Sequence, residues 1–126
     1  MTFADPQTGD RHHLTPQGAL AVQAAIGSDI RMVLDECVGL PATRAQLERS
    51  VRLTTAWATR SKNRWQRRRN GPYLFGIIQG GVDLELRQRS LQEITALDFD
   101  GYAIGGLAVG EQRSQGGEIS VTSDLR

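Results

Sequence analysis

Three short apolar runs, Ile30–Leu34, Tyr73–Ile78 and Gly101–Ile104, are separated by amphipathic stretches longer than ten residues. This alternation constrains the fold more than any other feature of the chain. Runs that are apolar on both faces suit strands buried on both sides. Linkers long enough for a helix suit parallel pairing with crossover connections. The expected class is α/β.

The helices are legible from their ends. Thr15-Pro16 has the N-cap and first-turn residues of a helix that places Ala19, Val22 and Ile26 on one face and stops at Gly27. A long helix is expected from about Ala42 to Trp65, with Leu47, Val51 and Ala58 on a shared face, broken by Asn70-Gly71-Pro72. A third is expected from about Val82 to Leu97, with Leu84, Leu91 and Ile94 facing the core. The chain has 126 residues, about the size of one domain, and no linker divides it.

Composition excludes several classes. A net charge of +1 gives the whole chain no strong field toward a polyanion, so only local clustering can argue for nucleic acid. Cys37 is the single cysteine, which excludes an internal disulfide and fits a reducing compartment. No apolar run approaches the roughly 18 residues needed to span a bilayer. A cytoplasmic protein without a membrane partner is expected.

In parallel α/β folds, ligands bind where the carboxyl ends of the strands and the following loops converge. Those ends carry Asp35-Glu36-Cys37, Gln79-Gly80-Gly81 and Gly105-Gly106-Leu107. The last opens the segment from Phe99 to Glu111, in which glycines let the main chain present N–H donors to a ligand at close range. A carboxylate accepts paired donors on one planar edge, while the Gln79 amide and a Gly106 N–H can both donate to a carbonyl oxygen. A guanine edge has the complementary pattern. Spacing alone does not select guanine over other polar rings.

The segments Arg11–Pro16, Gly27–Ile30, Leu34–Cys37, Phe75–Gly81 and Phe99–Glu111 together resemble the tRNA-guanine transglycosylase family, the queuosine-pathway tRNA-ribosyltransferases. The Gly-Gly-Leu-Ala-Val-Gly-Glu block is the most specific. The resemblance implies part of a (β/α)8 TIM barrel, about three βα units, incomplete at both ends. It implies exchange of guanine at the tRNA wobble position for a 7-deazaguanine, through a covalent ribosyl-aspartate intermediate. By position, Asp35 would grip the ring N–H and amino group of the base, and Gln79 with the Gly105-Gly106 backbone would meet its carbonyl. Leu107 would offer its own carbonyl to the substituent of the deazaguanine, Glu111 would support that peptide, and Cys37 would line the pocket. tRNA, the free base and a second copy in a homodimer are the implied partners.

A complete (β/α)8 barrel takes roughly 250 residues. The family's nucleophilic aspartate, its general acid/base aspartate and its zinc ligands match nothing in this chain, so the chain alone is expected to be inactive and to fold weakly. Residues 1–111 are expected to form the partial barrel. Residues 112–126, polar and rich in glycine and serine, read as a tail outside the family pattern, as in a truncated or frame-shifted reading frame. Two other readings stay open: a small flavodoxin-like nucleotide-binding module, and a non-catalytic partner subunit or remnant.

Some residues invite chemistry but have plainer readings. His12 and His13 point to opposite sides of an extended segment and give no paired metal-ligand spacing with Cys37. Arg60, Lys62, Arg64, Arg67, Arg68 and Arg69 place six basic side chains within ten residues at a helix end. There they suit the negative terminus of the helix, or alternatively contact RNA phosphates. Trp57 and Trp65 read as packing residues rather than stacking platforms.

Overall fold

The computed structural model describes residues 1–107. Glu111, its neighbours Ala108–Gly110 and the tail at 112–126 lie outside the described residues. The chain opens with a hairpin absent from the sequence reading, in which β1 (Thr2–Ala4) runs antiparallel to β2 (Arg11–His13). Its turn is organised by Asp5, whose Oδ1 accepts from the N–H groups of Gln7 at 2.7 Å and Thr8 at 3.2 Å, a local side-chain turn of the kind aspartate favours.

After α1 (Pro16–Ile26) come β3 (Ile30–Met32), α2 (Arg44–Arg64), β4 (Tyr73–Ile78), α3 (Leu84–Ala96) and β5 (Gly101–Ile104). The three strands pair in parallel in the order β3-β4-β5. The described part is therefore α/β, with one antiparallel hairpin, one parallel sheet and three helices. β4 is the central strand, and its Leu74, Ile77 and Ile78 meet Val33, Ala58 of α2, Ile94 of α3 and Phe99 in one core cluster. A second cluster of Leu47, Val51 and Leu86 joins α2 to α3. Burying each large apolar side chain contributes roughly 1.5–3 kcal/mol, which holds the carboxyl end of β4 against both helices.

The helix signals at Thr15 and Gly27 match the structure, and α2 gains a capping box between Thr43 and Gln46 that starts it two residues later than expected. Two expected faces are corrected. On α1 the buried residues are Pro16, Ala19 and Leu20, while Val22 and Ile26 are exposed. The cause is Gln23. Its Oε1 accepts from Met32 N–H at 2.7 Å and its Nε2 donates to Met32 O at 2.9 Å, so the helix turns this amide toward the edge of β3. On α3 the buried face is Leu86, Arg87, Ser90 and Ile94, and Leu84 is exposed. Leu84 is the first helical residue, and a side chain there leans back past the helix start rather than onto the sheet. The last strand lies where the sequence places it. β3 ends at Met32, but Val33 and Leu34 remain buried behind it.

Candidate functional site

Asp35 follows β3 by three residues, Gln79 follows β4 directly, and Gly105-Gly106 follow β5 directly. All sit at the carboxyl end of the parallel sheet, where βα loops shape ligand sites. The structure brings these four residues together. Gln79 is only 2% exposed. Its backbone N–H donates to Ser90 Oγ of α3 at 3.0 Å, and its Nε2 donates to Asp35 Oδ2 at 2.5 Å.

The loop bearing Asp35 is fixed from the other side by α2. Glu36 N–H donates to Thr54 Oγ1 at 3.0 Å, and Ser50 Oγ donates to Glu36 O at 2.5 Å. Buried hydroxyls thus convert an irregular segment into a rigid one, since a buried backbone group left unpaired costs about 1–3 kcal/mol.

Gly105 and Gly106 lie flat against the Gln79 side chain. A Cβ added at Gly105 would come 2.6 Å from Gln79 Nε2, and one at Gly106 would come 2.6 Å from Gln79 Oε1. Gly106 also has φ +72°, a left-handed conformation that other residues adopt only with strain. Close approach and backbone shape both require glycine here. Gly105 N–H is used internally, donating to Ile78 O at 2.9 Å. The Gly106 N–H has no hydrogen-bond partner among the described residues.

Beneath this surface is Arg87, 1% exposed. Its Nη1 donates to Ile78 O at 2.9 Å, and its Nη2 and Nε donate to Gly81 O at 3.0 and 3.3 Å. It ties the end of β4 and the Gly80-Gly81 turn to α3. The sequence reading missed it, although Arg87, Ser90 and Ile94 follow a helical stripe, and a charged residue on a buried stripe signals a specific acceptor set.

Burial pushes the Asp35 carboxyl above its ordinary value; the hydrogen bond from Gln79 and one from the backbone pull partly the other way. The ionised form is therefore under-compensated as the site stands. A carboxylate offers about four lone-pair sites and a primary amide two N–H donors. After their mutual bond, Asp35 can still accept a pair of donors, and Gln79 can still donate to an oxygen.

Of the other expected residues, Cys37 is exposed and Leu107 is half-buried beside Gly106. Neither contributes a described hydrogen bond to the cluster. Among the described residues, no three His, Cys, Asp or Glu side chains gather into a metal site. The described residues thus offer no donor set that fits a zinc centre. No described helix is long and apolar enough to cross a membrane.

The family model described as queuine tRNA-ribosyltransferase matches residues 1–123, extending past Glu111. The queuine tRNA-ribosyltransferase of Thermodesulfovibrio yellowstonii is 50% identical over 114 residues, covering 90% of this chain and 30% of the relative. That of Stenotrophomonas maltophilia is 47% identical over 111 residues, covering 88% and 30%. That of Rickettsia rickettsii is 49% identical over 111 residues, with the same coverage. The chain thus spans about 30% of the length of these curated relatives.

Proposed function

The chain belongs to the queuine tRNA-ribosyltransferase family, and from that premise we propose that it carries the base-recognition surface of a tRNA-guanine transglycosylase. The observation that carries this reading is the joining of Asp35, Gln79 and Gly106 at the carboxyl ends of three adjacent parallel segments. A guanine edge presents a ring N–H and an amino group beside a carbonyl oxygen. Asp35 receives the two donors. The second N–H of Gln79 and the N–H of Gly106, which has no partner among the described residues, converge on the carbonyl.

The raised pKa of Asp35 supports this assignment. A carboxylate held in a partly desolvated place without a full set of donors gains most from a ligand that brings two. Adenine reverses the pattern at its six-position and offers Gln79 and Gly106 no acceptor there. Discrimination comes from buried polar groups left unpaired by the wrong base, the strongest form of selectivity a small pocket can exert.

In the same reading, Leu107 turns its carbonyl toward the substituent of a 7-deazaguanine, Glu111 supports that peptide, and Cys37 lines the rim. The parallel sheet is a segment of a (β/α)8 barrel, tRNA is the macromolecular substrate, and the complete enzyme is a homodimer. Exchange of wobble guanine for a 7-deazaguanine through a ribosyl-aspartate intermediate is the reaction. The residues of this chain bind and orient the base, and none of them is assigned as the nucleophile.

Calorimetric titration of the chain with guanine and with adenine tests the proposal. Guanine binding that is lost in Gln79→Leu, with adenine binding at least tenfold weaker, is the expected result. Equal affinity for both bases contradicts it.

A further inference from the structure

The amino end of the parallel sheet has the opposite chemistry from the carboxyl end. A cleft of about 320 Å³ opens there, lined by Arg31, Arg64, Trp65, Gln66, Arg68 and Pro72. Arg31 comes from β3, Arg64 from the last turn of α2, and Arg68 from the segment leading to β4. Three guanidinium groups from separate parts of the chain therefore share one opening.

The clustered arginines are not all used to hold the fold. Lys62 donates to Asp98 O, Arg67 pairs with Asp98 and Asp100, and Arg60 donates to Gln17 Oε1. Arg31, Arg64 and Arg68, in contrast, have no carboxylate partner among the described residues. Favourable interaction with the negative helix terminus accounts for Arg64, in the last turn, but not for Arg31 or Arg68.

Asp29 lines an adjoining cleft shared with Arg31 and Asn70–Tyr73, and it makes no ion pair with Arg31. Arg31 stands 5.7 Å from the Trp65 ring centre and donates from Nε to Ser28 O, which fixes its guanidinium at the mouth. Trp65 Nε1 is shielded from solvent and has no acceptor among the described residues. The wall is short of negative charge and of acceptors together.

We propose that this cleft binds the phosphodiester backbone of RNA, at a place separate from the base site. β4 has six residues, and at about 3.3 Å per residue it sets the two sites roughly 20 Å apart. No single nucleotide reaches both, so the cleft receives a different stretch of backbone from the one carrying the exchanged base. Arginine forks match phosphate oxygens in pairs, and the contact carries no sequence information. It does not depend on the guanine assignment at the carboxyl end.

The test uses the full 126-residue chain and two short labelled RNA hairpins, one with and one without guanine in the loop. Affinity is measured across a salt series for the parent, Arg64→Gln/Arg68→Gln, Arg64→Lys/Arg68→Lys, and an Arg49→Gln/Arg52→Gln control that removes the same charge from exposed positions of α2. Each variant is first matched to the parent by circular dichroism.

Both hairpins are expected to show the same dependence on Arg64 and Arg68. The glutamine pair at 64 and 68 should lose about tenfold in affinity and lower the slope of log K against log salt by about two. The lysine pair should recover most of the loss, and the control should keep the parent slope. An unchanged slope in Arg64→Gln/Arg68→Gln, an equal loss in the control, or binding of inorganic phosphate without RNA overturns the proposal. None of these outcomes bears on selective guanine binding, so the two readings fail separately.

Discussion

The two ends of one parallel sheet differ in burial and in how their polar groups are paired. At the carboxyl end, Gln79 is hydrogen-bonded to Asp35 and Ser90, Arg87 holds the Ile78 and Gly81 carbonyls beneath them in a partly or wholly buried setting, and two glycines seal the surface. At the amino end, exposed Arg64 and Arg68 and half-buried Arg31 line an open cleft and have no carboxylate partner among the described residues. Buried and mutually paired groups hold their geometry and can tell one planar ring from another. Exposed cations attract charge at a distance, weakly and without reading it. The contrast separates groups that specify from groups that position.

Arg87→Met should test the rigidity of the carboxyl end with the largest effect. It strips Gly81 O of both guanidinium donors and leaves Ile78 O only the Gly105 N–H, and a loss of about 3 kcal/mol is expected in urea denaturation. A loss below about 1 kcal/mol would mean that the turn holds itself.

Gly106→Ala comes next, because its Cβ would strike Gln79 Oε1 at 2.6 Å in a left-handed conformation. About 1–3 kcal/mol of stability should go, together with guanine binding. An alanine variant that binds guanine normally would place the base elsewhere.

The pH dependence of Asp35 gives a smaller, signed effect. Its folded pKa lies above its ordinary value, so the folded state binds the proton more tightly than the unfolded chain does. Asp35 therefore lowers stability progressively as pH rises through the interval between the two values, and the cost is constant above it. Asp35→Asn should raise the melting temperature at neutral pH, with the gain vanishing below the ordinary carboxylate pKa of about 3.9. Guanine donors favour the ionised form, so guanine affinity of the parent should increase with pH across the same interval. A flat affinity profile there would remove Asp35 from the contact.

Replacing Arg64 and Arg68 by glutamine should change stability least, within about 0.5 kcal/mol per site. A larger loss would show that the amino end is structural after all, and would erase the contrast between the two ends.

The sequence made the α/β class, the parallel order of apolar runs and the carboxyl-end trio readable, because strand ends and helix caps are local signals. Thr15 and Gly27 bracket α1, as their chemistry requires. What escaped depends on partners distant in sequence. Gln23 turns α1 by reaching Met32, and no periodicity of Val22 and Ile26 reveals that bond. The β1–β2 hairpin rests on an aspartate turn between strands of three residues, too short to show alternation. Arg87 stands where an apolar residue is expected, and among the described residues it is met by the carbonyls of Ile78 and Gly81.

The family resemblance that the motifs suggested agrees with the family match and with relatives near 50% identity. The sheet end supplied what motifs do not. It shows Gln79 already bonded to Asp35 while keeping a donor to spare.

The most direct measurement is amide NMR of the chain titrated with guanine. The account predicts saturable shifts concentrated at Gly106 N–H and the Gln79 side-chain amide, with the Asp35 carboxyl moving toward its ionised form and adenine producing none of these changes. Guanine binding that leaves Gly106 and Gln79 unmoved, or moves residues at the amino end instead, would contradict it.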